Sequence, residues 1–333
     1  MAGLKVRHGH VNRGPPSCSI GLRVLATIPL LFAIAVLTFL ISVGMESRGS
    51  IAVQVCGDGA TPACIEEVEA ELGLSDPLLS RFVHWLGGVV RGDLGSSLAN
   101  TDAEVTSLIG ERIWPTISIV TASLIIGVSI GMAMGIGSAI RPGGSLDQAT
   151  SVIAGMVVAV PGFLIGMLLS WWLAVKWGWF EPTGYVPLGD SITGWLRSIT
   201  LPSVALALPT IAIVQRQLRS SMANALQSRY VLAARARGVG RPMLITRHAL
   251  PNAMIPTVTV IGFRAAAAIG LTVAVEFVFG IRGMGEMLIT AIVQRDVTVL
   301  QGGMLVVGLA VALVNIAVDV SYGFLNPKVR IGS

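Results

Sequence analysis

The chain has 333 residues, of which 53% are hydrophobic and only 12% charged. Soluble domains carry about twice that charged share, and several uncharged runs exceed the ~18 residues needed to cross a bilayer. A helical integral membrane protein is therefore expected; a β-barrel would show short alternating segments instead. The net charge of +5 raises nucleic acid as a partner, a reading that the distribution of charge removes below.

Residues 1–21 form a polar tail with Lys5, Arg7, Arg13, Cys18 and a Pro15-Pro16 pair. An uncharged run follows from Val24 to Met45. A signal peptide has a shorter apolar core and a small-residue cleavage site; this run is long enough to span, so an uncleaved first span is expected. The region 46–112 is polar, with eleven acidic residues against four arginines. Within it, 65–74 (IEEVEAELGL) reads as a short acidic helix. Asp76-Pro77 opens a second one with Leu78, Leu79, Phe82, Val83 and Leu86 on an apolar face, and Gly92–Ser97 is a turn. Compact binding domains usually need about 100 residues, so this region is expected to be a small cap. Cys56 and Cys64 lie in it as a candidate disulfide or two free thiols. No histidine lies near the pair, which disfavours zinc.

The second span is expected at Ile113–Ile140. Its Gly127-x-x-x-Gly131-x-x-x-Gly135 stripe lets a neighbouring backbone approach closely. Arg141-Pro142-Gly143-Gly144 is a turn. The third span, Gln148–Val175, carries Pro161-Gly162 in its interior, and proline there predicts a kink. A tryptophan-rich connection (176–198, with Trp177, Trp179, Trp195 and Tyr185) suits a membrane interface. The remaining spans are expected at Ile199–Val214, 253–279 and 298–321. Six spans put both termini on one side. On that side the tail through Arg23, 141–147, 216–250 and 322–333 hold fourteen Lys/Arg and a single acid, Asp147. On the other, 46–112, 176–198 and 281–298 hold eight basic and fifteen acidic residues. The positive-inside rule then assigns the basic side to the cytoplasm. Topology accounts for the excess charge, and no nucleic-acid partner is needed.

Between spans four and five lies Gln227–Pro251, with five arginines and no acid. Ala, Leu and Arg favour helix through Arg237, Gly238 and Gly240 stop it, Pro242 opens a second short helix, and Pro251 closes it. Small residues at 233, 234 and 238 would let such an element seat closely in a partner's cleft. The spacing Ala233-Ala234-x-x-x-Gly238, then His248-x-Leu250-Pro251 nine residues on, resembles the Glu-Ala-Ala loop of the membrane permeases of ATP-binding-cassette importers, with Leu232 in place of the Glu and His248 in place of an Ile. Tyr230 with Ala234-Arg235-Ala236-Arg237-Gly238 is similar to the B-type permeases of the dipeptide/oligopeptide branch. So are Leu86-Gly87-Gly88…Arg91–Ser97, Glu276–Phe279…Gly283-Met284-Gly285, and Asn326-Pro327-Lys328-Val329-Arg330.

The resemblance implies an all-α, six-span type I importer permease with four parts: a tail (1–21), a first span with its outer region (22–111), a permease core (112–325) and a C-terminal tail (326–333). It makes Tyr230, Ala233, Ala234, Arg235, Arg237, Gly238, His248, Leu250 and Pro251 the ATPase-coupling loop. It implies as partners a second homologous permease, two ATPases that bind ATP and magnesium, an extracytoplasmic binding protein and a peptide, in a bacterial or archaeal plasma membrane. Relatives of this type also handle nickel, haem or glutathione. No lysine follows a glycine, so a phosphate-binding loop is absent; no metal-ligand cluster or nucleophile–base pair stands out, and a transport subunit rather than an enzyme is expected. A secondary carrier or channel is the competing class. Three charges fall inside spans, where ionisable residues are by default functional candidates: Arg264, Glu276 and Asp319. Arg264, about 15 Å into the fifth span, either faces the translocation path or pairs with the partner permease. Glu276 and Asp319 read as helix-end or interface anchors.

Overall fold

The computed structural model describes the backbone of residues 16–45, 52–53, 56, 61–71, 73, 76–100 and 103–325, and the side chains among these except at 16–26, 45, 71, 319 and 322–325. The expectations for residues 1–15, for 326–333 and for the Asp319 side chain lie outside the described residues. The elements are α1 (Pro16–Met45), α2 (Pro62–Glu71), α3 (Leu78–Arg91), α4 (Val105–Ile140), α5 (Ser145–Ala159), α6 (Gly162–Leu169), α7 (Ile192–Leu226), α8 (Arg229–Ala236), α9 (Leu250–Val278), α10 (Met284–Val293) and α11 (Val297–Leu325). Wider π-helical turns extend α6 through Ser170–Lys176 and precede α9 at Leu244–Ala249. Among the described residues the β-type pairing is a lone bridge, Ser96 to Glu104. Five helices are long and apolar enough to cross a membrane, and the α5–α6 pair makes a sixth if it counts as one span. The protein is a multi-pass membrane protein.

The broadest contact is between α4 and α7, and the glycine stripe explains it. A Cβ on Gly127 would lie 2.8 Å from Thr210 Cγ2, one on Gly131 2.9 Å from the Ile211 carbonyl, and one on Gly135 3.0 Å from the Gln215 carbonyl. Each glycine thus admits the next turn of α7, the close backbone approach that small residues permit in lipid. α9 packs on α7 and α11, and α1 on α11. There Gln301 Nε2 donates to Ser42 Oγ in a buried contact.

Two expectations fail here. The third span is no kinked rod: α5 and α6 meet at 99°. Val160 (ψ 129°) and Pro161 (ψ 130°) are both extended, because a residue before proline is pushed out of the helical region and the proline itself stays extended. Two successive extended residues redirect the chain where one missing hydrogen bond would only bend it. The fourth span is not the short Ile199–Val214 run but a helix of 35 residues. The segment after Val214 is Gln215-Arg216-Gln217-Leu218-Arg219, good helix formers that carry α7 on to the basic loop.

At the opposite end, the polar region forms a cap. Phe82 of α3 wedges between Phe32 and Phe39 of α1, with ring centroids 6.0 and 5.2 Å away. Leu79 and Val83 of the same predicted face stay exposed. A disulfide joins Cys56 and Cys64, whose Cα atoms are 6.3 Å apart. The buried Asp296 fastens the cap to α11: it accepts from Ser97 Oγ at 2.5 Å and the Ala99 amide at 3.2 Å, and caps α11 through the Val299 amide at 3.1 Å.

Candidate functional site: the basic loop and the charges behind it

The loop between α7 and α9 folds as a small unit with its own core. α8 begins after Ser228 and ends in a left-handed Gly238 (φ 83°). The Gly238 amide bonds to the Arg235 carbonyl at 3.0 Å and the Val239 amide to the Ala234 carbonyl at 3.2 Å. This is a Schellman closure, whose usual apolar contact joins the residues at its two ends. Val239 packs accordingly on a cluster of Val231, Ala234 and Leu244, with Leu226 behind it. Glycine at 238 is a backbone requirement, since residues with a Cβ rarely adopt that φ.

These contacts redistribute the predicted residues. Ala234 is buried inside the loop's own core, at 1% exposure; its small size serves internal packing. Ala233, Arg235, Arg237 and Gly238 are exposed, as is Pro251, while His248 and Leu250 are half-buried. Tyr230 is exposed along its ring, and its hydroxyl donates to the His248 carbonyl at 3.4 Å. Pro251 does not close a second helix. Pro242 does open one, as expected, with Gly240, expected to end the first helix, as its N-cap, but it runs unbroken from Arg241 to Val278. Pro251 cannot donate a backbone bond, and the wider turn at Leu244–Ala249 absorbs the mismatch. The His248 carbonyl in that turn also accepts from Asn252 Nδ2 at 2.8 Å.

Sequence reasoning missed two things. Leu232 and Met243 are both 48% exposed, so the loop displays apolar side chains as well as arginines. The loop end is also bolted to the helices behind it. Arg241 Nη2 donates to the Ile140 carbonyl at the end of α4, at 2.8 Å. Arg219, in the last turns of α7, grips the buried Asp147 of α5 with two nitrogens, Nη2 at 2.7 Å and Nε closer still. The second Asp147 oxygen also accepts the Gly143 amide at 2.9 Å. One turn deeper, Gln215, Ser138 and Thr150 hydrogen-bond one another in a buried cluster of α7, α4 and α5. One signal was available: Asp147 is the lone acid among fourteen basic residues on its side.

Of the charges inside spans, Glu276 is fully buried and fully engaged. It accepts from Thr116 Oγ1 at 2.5 Å and from the Gly285 and Glu286 amides at 2.8 and 3.2 Å, so it caps the N-terminus of α10, where a carboxylate is favoured. A Cβ on Gly283 would fall 2.4 Å from the Glu276 carboxyl carbon, which explains why the motif pairs this acid with glycines. Arg264 is 8% exposed. Its Nε reaches Thr210 Oγ1 at 3.4 Å and its Nη2 is buried without a hydrogen-bond partner.

Comparison with known proteins supplies the context. Residues 127–331 match the family described as binding-protein-dependent transport system inner membrane component, and residues 20–120 match that family's N-terminal module. A Brucella abortus protein named as a peptide transport system permease is 35% identical over 308 residues, covering 92% of this chain and 97% of the relative. A Sinorhizobium fredii protein named as a peptide ABC transporter permease is 33% identical over the same coverage. The glutathione transport system permease protein of Escherichia coli O6:H1 is 35% identical, again over 92% and 97%. The fold is similar to a chain of the inward-facing MetNI methionine ABC transporter, with a TM-score of 0.55 at 17% identity, over 66% of this chain and 96% of that one. The chain belongs to the family of binding-protein-dependent transport system inner membrane components, the permease subunits of ATP-binding-cassette importers.

Proposed function

We propose that this chain is the B-type permease of an ATP-driven peptide importer, and that residues 227–251 couple it to a cytoplasmic ATPase. The observation that carries this reading is the loop itself. It is a separately cored knob at the basic end of the bundle, displaying Tyr230, Leu232 and Met243 among arginines, in a chain whose peptide-named relatives match it nearly end to end. Two copies of such a knob, one from this chain and one from a homologous permease, would each seat in one of two ATPases that hold ATP and magnesium. A binding protein would deliver peptide at the capped end. The loop end is then cytoplasmic, with the tails at 1–21 and 326–333 on the same side and the cap in 22–111 outside.

The mechanism is alternating access, in which one packed body rocks against another. The loop is continuous with α7 and with α9, so displacement of the knob moves both. Arg241 carries the same displacement to α4, and the Arg219–Asp147 pair carries it to α5 at the start of the broken span. The substrate crosses unchanged. A test is uptake of labelled di- and oligopeptides by cells lacking this gene, complemented with the wild type or with Ala233→Trp. Restored uptake by the wild type and none by the variant, with both at equal levels in the membrane, supports the reading. Uptake that survives the variant, or that needs no ATPase, sinks it. Unlabelled glutathione is an informative competitor, because the E. coli glutathione permease is as similar as the peptide-named relatives.

A further inference from the structure

Arg264 is the least satisfied charge among the described residues of this bundle. A guanidinium offers five donors and does not lose its proton in proteins. Burying an ion without a partner is costly, and in membrane spans such residues pair or face a water-filled path. Arg264 stands at the midpoint of the 29-residue α9, held down by its neighbours. Two residues earlier, a Cβ on Gly262 would lie 2.3 Å from Val318 of α11, and Ala265 and Ala268 are buried. The head group is thereby turned toward α7, where Nε makes a weak bond to Thr210 and Nη2 has no hydrogen-bond partner. The three buried carboxylates at helix ends are occupied, Asp147 by Arg219, Glu276 by Thr116 and the α10 amides, and Asp296 by Ser97 and the Ala99 and Val299 amides.

The height of this residue in the bundle is the second observation. Pro209 precedes Thr210 in α7 and has no N–H to give the Ala205 carbonyl. Gly162, the first residue after the 99° break in the third span, sits on that place: its Cβ position is 3.0 Å from the Ala205 oxygen and 3.7 Å from the Pro209 ring. Adjacent residues of one helix turn therefore touch the broken span and the buried arginine. Interrupted helices at mid-depth with polar groups freed from the helical ladder are tolerated where they line a path, and such places hold substrate in transporters.

We propose that Arg264 is an anion-binding residue of the translocation path, taking the C-terminal carboxylate of the peptide when α7 and α9 move apart. The proposal rests on the peptide-importer reading. It makes the permease, and not only the binding protein, selective for substrates with a free carboxylate. The contact is charge-assisted and desolvated, the kind of hydrogen bond that contributes most.

The experiment uses the complete importer in proteoliposomes: both permeases, both ATPases and the binding protein. One peptide is supplied with a free C-terminus and again as its C-terminal amide, each preloaded on saturating binding protein so that the binding protein's own preference drops out. The expected result is that wild type moves the acid about tenfold faster than the amide. Arg264→Gln should bring the acid-to-amide ratio to about one, and Arg264→Lys should keep part of the preference. Equal losses of both substrates in Arg264→Gln, or loss of the second permease from the purified complex, would assign the arginine to a structural role such as pairing with the other permease and overturn the proposal. An unchanged acid-to-amide ratio also overturns it. Wild type that moves neither peptide refutes the importer reading itself, a failure visible before any variant is made.

Discussion

Arg219 and Arg264 are both held among the helices of one bundle, and they could hardly be treated more differently. Arg219 lies where α7 leaves the bundle, its side chain 38% exposed, and it is clamped in a bidentate grip on an aspartate that is 4% exposed. Arg264 lies in the middle of α9, more deeply buried, with a weak hydroxyl contact and no acid. The fully answered charge is at the end that carries the basic loop, and the unanswered one is at the height of the broken span. A paired ion holds two elements in one geometry, because separating it exposes an uncompensated charge. An unpaired one adds little to the resting geometry and stands ready for a group that arrives from outside.

The largest effect should come from breaking the clamp on its buried side. Arg219→Ala strands the Asp147 carboxylate in the interior, and removal of one member of a buried pair costs about 3–5 kcal/mol. Asp147→Ala leaves an arginine that can still reach water and should cost less than half as much. Thermal unfolding in detergent measures both; equal costs would mean that the pair is effectively solvated. Next in size is Ala234→Leu. It overfills the Val231–Leu244 core of the loop and should cost about 1–3 kcal/mol, lowering the protease resistance of the loop as well as transport. Ala233→Leu, one residue away on the exposed side, should leave stability intact and weaken only co-purification with the ATPase. If the two behave alike, the division of the loop into a core and a docking face is wrong. Smaller again is Arg264→Gln, which should leave thermal stability unchanged or raise it by about 1 kcal/mol, since replacing an uncompensated buried ion relieves desolvation. A loss on the scale of Arg219→Ala would show that Arg264 is a fastener after all, and the contrast would collapse.

The features that could be read from sequence are those with local causes. Uncharged runs located the spans, the Gly127–Gly135 stripe announced a close helix contact without naming its partner, and Gly238 announced the end of α8, because each signal lies in residues within a few positions. The 99° break was read as a kink because hydropathy continues through Pro161 on both sides; what decides the angle is that Val160 is extended too. Hydrophobicity alone does not mark the end of α7, because its polar end keeps the propensity to continue as helix. Ala234 packs inside the loop rather than on its docking face, and smallness alone does not reveal which neighbour needs it. The Arg219–Asp147 grip joins residues 72 apart, and its one trace in the sequence was the isolation of Asp147 among basic residues. The unpartnered state of Arg264 had no trace at all, since it depends on what three other helices fail to supply.

The smallest expected effect concerns the second bolt. Arg241 is exposed and makes a single charge-assisted bond to the Ile140 carbonyl, one of the last carbonyls of α4, which no amide of that helix can satisfy. Water can replace the arginine there, so Arg241→Gln should cost less than about 1 kcal/mol in global stability. Its effect should appear in coupling. Arg241 supplies a hydrogen bond between the loop and α4, and α4 carries the glycine stripe that locks it to α7. With the bond removed, the knob can still move α7 and α9 directly, while α4 follows only through packing. The expected signature in proteoliposomes is a modest rise in ATP hydrolysed per peptide moved, with the affinity of the ATPase for the permease unchanged. If the ratio stays at its wild-type value, α4 is driven through its glycine contacts with α7 alone, and the Arg219–Asp147 clamp is the sole ionic link between the loop end and the helices behind it among the described residues.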